Sequence, residues 1–196
     1  ILMKSLKTPG DLAGSNSGLA ASHNQAVILR TIRWQAPISR TELAARTGLS
    51  KQAVARITEK LIDDGLVVEA RRRYGMRGQP AIELEINPEG CFAVGVGLGR
   101  DHLTIVAVDA VGTVRDRIHR ETRYMLPDEF FAEMKEALKT FRRRHAIDET
   151  RLAGIGVAFP DWLGEIPFIG MPEAYRSWRS VDVRDRFARI TDHPIL

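Results

Sequence analysis

A chain of 196 residues that is 44% hydrophobic and 28% charged has room for one large or two small domains, and its composition excludes a disordered polymer. No apolar run approaches the roughly 20 residues that cross a bilayer, no signal-peptide core opens the chain, and the lone Cys91 can form neither an internal disulfide nor a thiolate-rich metal site; a cytoplasmic protein with no membrane partner is expected. The formal charge of +4 is unevenly placed, with 13 Lys and Arg against 9 Asp and Glu in residues 1–90 and 16 of each in residues 91–196.

Residues 1–17, rich in Gly, Ser, Asn, Asp and Pro and without apolar periodicity, read as a flexible arm. A helix follows over 18–34, with Val27, Ile28 and Ile32 on one face and Pro37 closing it. Ser39 and Glu42 have the spacing of a capping box and start a second helix that runs to about Thr47. Gly48 breaks it, Ser50 caps a third helix through Asp64, and Gly65 stops that one. Val54, Ile57 and Leu61 give the third helix its inward face. Short strands are expected at 66–70 and 81–86, joined by "RRRYGMRGQP", a loop holding four arginines, and "NPEG" (87–90) is a turn at a domain boundary.

Beyond it the pattern changes. Residues 92–98 and 103–108 read as buried strands, and 113–122 as a more polar third. Pro127 opens a strongly amphipathic helix carrying Phe130, Phe131, Met134, Leu138 and Phe141. A buried strand at 152–159, a helix at 181–191 and a strand beginning at "HPIL" complete a mixed α/β domain. A chain that stops at Leu196 as a buried strand begins is expected to be a fragment of a longer protein.

Two helices joined by a short glycine turn, the second capped by serine and followed by a hairpin with a basic tip, form a winged helix-turn-helix over residues 18–88. Such a motif enters the major groove of double-stranded DNA by the N-terminal end of its second helix, where this sequence puts Ser50, Lys51, Gln52 and Arg56. Gln52 can hydrogen-bond an adenine edge, Arg56 a guanine edge or a phosphate, and Ser50 with the free N–H groups of the helix start suits a phosphate. Arg71, Arg72, Arg73 and Arg77 flank a wing tip made pliable by Gly75 and Gly78, able to reach phosphates or a narrow minor groove. Taken singly, the helix pair could be plain packing and the arginines a solvated loop; their order, on the half that holds the excess charge, favours DNA.

At this point the sequence resembles a known family. "PISRTELAARTGLSKQAVARITEKLIDDGLVVE", followed by "GMRGQPAIELEINPEGCFAVGVGLGRDHLTIVAVDAVGTV" and "LAGIGVAFPDWLG", is similar to the ROK family of repressors and sugar kinases. The resemblance implies that residues 89–196 are the beginning of a sugar-kinase-like domain of the actin/hexokinase (ribonuclease H-like) fold. It implies a sugar effector and a homodimer or higher homo-oligomer. It also implies a wing that often reads Gly-Arg-Pro, where this chain has Gly78-Gln79-Pro80; Gln79 can still hydrogen-bond in the groove but brings no charge. The family's catalytic aspartate, zinc motif and later sugar contacts follow the strand that "HPIL" opens.

The glycines of "GVGLGRDH" (95–102) invite a nucleotide. A dinucleotide site needs a helix after them, and "LTIVAVD" is too short and too β-branched to be one. Kinases of the family show an aspartate that helps hold the metal; aligned on Gly95 and Gly99, this chain has Gly97 there, with Arg100 and Asp101 in place of a Gly-Thr pair. A tight hairpin that has lost its catalysis is the expected reading, so no catalytic residue, cofactor or metal is assigned; an ATP-dependent sugar kinase with an added DNA-binding domain is the alternative. Asp161 follows a strand end, where α/β folds bind ligands, and by resemblance Pro160, Asp161 and Trp178 lie near a sugar cleft, although a loop turn and a core tryptophan explain them too. The five histidines include no pair at helix-ligand spacing.

Overall fold

The computed structural model describes residues 17–73, 81–159 and 170–196. They gather into two compact units: one holds the described residues up to Ile62 with Glu69–Glu85, the other Asp63–Val68 with Ile86–Leu196.

The first unit contains helices α1 (Ser17–Gln35), α2 (Arg40–Thr47) and α3 (Lys51–Asp63) and strands β1 (Ile38–Ser39), β2 (Val67–Arg73, whose first two residues fall in the other unit) and β3 (Ala81–Ile86). Ile28 and Ile32 of α1, Leu43 of α2 and Val54 and Leu61 of α3 are fully buried, as the helical periodicity requires, and Leu84 of β3 is buried with them. The sheet order is β1-β3-β2, with Ile38 opposite Leu84 and Ser39 opposite Glu83. Ser39 closes the expected capping box. Its Oγ accepts from the Glu42 N–H at 3.3 Å, and Glu42 Oε2 accepts from the Ser39 N–H at 2.9 Å. Gly48 ends α2 at φ 70°, a left-handed conformation that glycine adopts without cost, and its N–H donates to Ala44 O.

The second unit is built on a four-stranded sheet of order β6-β5-β4-β7, from β4 (Phe92–Leu98), β5 (His102–Asp109), β6 (Val114–Glu121) and β7 (Leu152–Ala158). The first three form an antiparallel meander, with Leu98 opposite Leu103 and Thr104 opposite His119; β7 then pairs in parallel with β4, Gly95 beside Gly156. Helix α4 (Pro127–Arg143) makes the crossover. Phe92, Val94, Val96 and Leu98 alternate onto the buried face and join Phe130, Phe131, Met134, Leu138 and Phe141 of α4 in one core. Each such side chain contributes roughly 1.5–3 kcal/mol on burial, so this layer dominates the unit's stability. This is the mixed α/β arrangement expected from the pattern. The "HPIL" segment extends it: the Ile155 N–H donates to Pro194 O at 2.9 Å and the Leu196 N–H to Ile155 O at 3.0 Å, in a parallel bridge beside β7.

Two expectations need correction, and one short strand was not expected. β2 runs on through Arg73, so Arg71, Arg72 and Arg73 belong to a strand and not to a loop. β1, only two residues long, carries too short a pattern to be read from sequence. The helix expected at 181–191 is a six-residue α5 (Val183–Ala188) capped by Asp182, preceded by a 3₁₀ stretch at Glu173–Ser180. There Tyr175 and Trp178 stand three residues apart, one 3₁₀ turn, and both are buried.

Gly154 and Gly156 lie on one strand in different surroundings. A Cβ at Gly154 would meet the Pro194 carbonyl oxygen at 2.8 Å, whereas one at Gly156 would meet nothing within 4 Å. Gly154→Ala is expected to destabilise by about 1–3 kcal/mol through displacement of the 194–196 segment. Gly156→Ala is expected to be neutral or slightly stabilising. Thermal melts of the two variants side by side check the contrast.

Candidate nucleic-acid interface

Helix α3 begins where Ser50 Oγ accepts the Ala53 N–H at 3.2 Å. Val54, Ile57, Thr58 and Leu61 are buried along one side of it. Ser50, Lys51, Gln52 and Arg56 are exposed on the other, so the expected reading residues are brought together at the N-terminal end of one solvent face. Their arrangement follows from the 3.6-residue period, with Gln52 and Arg56 four apart. Backbone N–H groups at the start of a helix carry a partial positive charge, which adds to Lys51 and Arg56 in drawing a phosphate.

The wing strand behaves differently from its sequence appearance. Side chains alternate along β2, so Arg71 and Arg73 share one face with Glu69 while Arg72 lies on the other. Arg71 Nε donates to Glu83 Oε2 at 2.6 Å. Arg73 donates to Glu42 Oε1 at 2.8 Å and stands 3.4 Å from Glu83 Oε1. The Glu83 side chain is only 2% exposed, on β3. Two of the wing arginines are thus engaged by carboxylates of their own domain, which raises the pKa of both guanidiniums. Arg72, exposed on the opposite face, is the described wing cation outside this network. Arg77 and Gln79 lie outside the described residues.

On the second unit, the β4–β5 hairpin closes with the Gly99 N–H donating to His102 O at 2.7 Å. The His102 ring covers Gly99, with its Cε1 2.6 Å from where a Cβ would stand, while nothing lies within 4 Å of one at Gly97. An open hollow of about 510 Å³ beside the hairpin is lined by Asp101, His102, Thr104, Arg117, His119 and Glu121. Sequence reasoning missed the pairing of His102 and His119, whose rings stack 5.8 Å apart. The signal was the strand register, which sets Thr104 opposite His119 and so brings His102 near across the pair. His102 Nδ1 lies 2.6 Å from Asp101 Oδ1, a contact that lowers the Asp101 pKa, and His119 Nδ1 lies 2.8 Å from Thr104 Oγ1. Among the described residues no group of three or more His, Cys, Asp or Glu is placed to hold a metal ion.

Pro160 and Asp161, expected near a sugar cleft, lie outside the described residues. Trp178 is buried against Phe130, Phe131 and Phe159, and its indole N–H donates to Met125 O at 2.9 Å; its position here is that of a core side chain.

Residues 24–68 match the winged helix-turn-helix DNA-binding family model. The DNA-binding transcriptional dual regulator NagC of Escherichia coli strain K12 is 32% identical over 132 residues, 67% of this chain and 32% of that protein. The xylose repressor of Bacillus spizizenii is 25% identical over 162 residues, 82% of this chain and 42% of that one. The crystal structure of a ROK family transcriptional regulator, a homologue of the E. coli MLC protein, aligns with a TM-score of 0.61 at 21% identity, covering 90% of this chain and 45% of that one. These regulators are what the chain is similar to, and the last of them, a ROK family regulator, shares its fold. The chain spans about a third to somewhat under a half of the length of these proteins. Among the described residues no helix is long and apolar enough to cross a membrane.

Glu42 has two tasks, since its carboxylate serves both the cap of α2 and Arg73 of the wing. Hydrogen bonds from Arg73, then from the Ser39 side chain and backbone, lower its pKa from 4.5 to about 2. A carboxylate depressed in the folded state stabilises fully above its unfolded pKa and loses that contribution as pH falls through the folded one. The stability of the domain is therefore expected to decline between about pH 4.5 and pH 2. Glu42→Gln should flatten that decline and lower stability at neutral pH, as acid titration followed by circular dichroism would report.

Proposed function

We propose that the protein is a DNA-binding transcriptional regulator acting as a repressor in the cytoplasm, and that its second unit is part of a domain that senses a sugar or sugar derivative without phosphorylating it. The observation that carries this reading is the exposed N-terminal face of α3, with Ser50, Lys51, Gln52 and Arg56 presented together in the unit that also holds the wing strands β2 and β3. The relatives' descriptions as NagC and as xylose repressors support regulation and sugar response. A homodimer or higher homo-oligomer, placing two reading helices on two half-sites, suits this mode of binding, and an effector would act by shifting the population of conformers with different helix spacing.

Lys51 and Arg56 are the side chains expected to matter most. On duplexes of the gene's upstream region, fluorescence anisotropy should show binding that weakens steeply with salt, because phosphate contacts release counterions. Lys51→Ala should weaken all sequences alike and reduce the salt slope by about one. Arg56→Ala, if it loses a base contact, should cost about 1–3 kcal/mol and relax sequence preference. Wild-type protein with no salt-sensitive binding would sink the reading.

A sugar kinase with an added DNA-binding domain is disfavoured by Gly97, which offers no carboxylate for a metal, and by the His102 ring lying over Gly99 where a phosphate would approach the backbone. Full-length protein is expected to release no ADP above background in a coupled assay with ATP across a panel of hexoses and N-acetylhexosamines. Turnover with any of them would restore the enzyme reading.

A further inference from the structure

Arg40, the first residue of α2, occupies a junction that the sequence does not announce. Its Nε donates to Thr58 Oγ1 in the middle of α3 at 3.0 Å, and its terminal nitrogen donates to Glu69 Oε1 on β2, also at 3.0 Å. Thr58 is fully buried, and its hydroxyl in turn donates to Ala55 O at 3.0 Å, so both hydrogen-bonding directions of that oxygen are used. One planar guanidinium thereby joins the helix that would read bases to the strand that leads to the wing tip. The Arg40 side chain is 29% exposed and Glu69 45%, so the bridge is too wet to be a large source of stability. What it fixes is geometry. A lysine carries a single point charge and cannot hold both partners in this fixed fork.

We infer that Arg40 is a positioning residue for DNA reading, setting the angle between α3 and the wing through Thr58 and Glu69. The inference rests on the DNA-binding reading above. When two surfaces must meet one duplex together, the second contact forms at an effective concentration set by how rigidly they are linked. A loosened wing forfeits that advantage without any residue at the DNA having changed.

A double-mutant cycle separates this role from a merely structural one. The probe is the upstream duplex bound by the wild-type protein, and the variants are Arg40→Lys, a wing variant combining Arg72→Ala with Arg77→Ala, and Lys51→Ala. Arg40→Lys is expected to keep the far-ultraviolet spectrum and melt within a few degrees of wild type, yet to bind about tenfold more weakly. In its background the wing variant should lose most of its own cost, while Lys51→Ala should cost what it costs in wild type. If Arg40→Lys melts early, Glu69→Gln cuts the same bridge from its exposed end and should give the same pattern. Binding by Arg40→Lys equal to wild type, a wing variant without effect in wild type, or unchanged wing cost in the Arg40→Lys background would each overturn the inference. Wild-type protein that fails to bind DNA at all would instead remove the reading beneath it, and this inference with it.

Discussion

Burying a carboxylate costs several kcal/mol unless cations face it, and Glu83 is buried between two. Breaking such a pair by deleting one partner is far more damaging than losing an exposed bridge, whose median worth is about 0–1 kcal/mol. The wing of the first unit hangs on this difference. Arg71 and Arg73 must point inward to meet Glu83, and because strand side chains alternate, Arg72 must then point outward. Ser39 stands opposite Glu83 in the register, and its capping partner Glu42 receives Arg73, so the start of α2 and the wing strand share one hydrogen-bond network. A change in any of these residues would be felt by an element distant in sequence.

The second unit is held by its apolar alternation. The β4–β5 hairpin keeps the alternation that buries Val94, Val96 and Leu98, and this alone suffices to hold it against α4. The glycines face the other side of the sheet. Gly97 has open space above it, whereas the His102 ring closely approaches Gly99. The packing of the sheet is thus carried by the side chains of one face, and the chemistry of the other face is set by its own residues.

What could be read in the sequence was what local physics decides. Capping residues name their own partners at fixed spacing, so Ser39 with Glu42 and Ser50 with α3 were legible, as were the apolar periods of α3, α4 and β4. The fate of the arginines was not. Whether a basic residue near a turn belongs to a strand depends on its partner strand, and whether it faces solvent or Glu83 depends on register. The same holds for Trp178, whose N–H finds Met125 O across 53 residues, and for His102 and His119, joined only by strand pairing. Long-range contacts decide these positions, and no window of sequence contains both ends of them.

Charge shows how the two levels fit together. In the sequence the excess of cations lies in the first 90 residues. In the folded domain Arg40, Arg71 and Arg73 are matched by Glu69, Glu83 and Glu42, so this network is neutral as a whole and contributes order in place of field. The excess is left to side chains outside it, among them Lys51, Arg56 and Arg72, all exposed. Surface cations of this kind govern long-range attraction and its salt dependence, whereas the paired ones fix where the attracting surfaces stand. Pairing thus sorts the arginines of this unit into those that order its strands and helices and those that leave a net positive field.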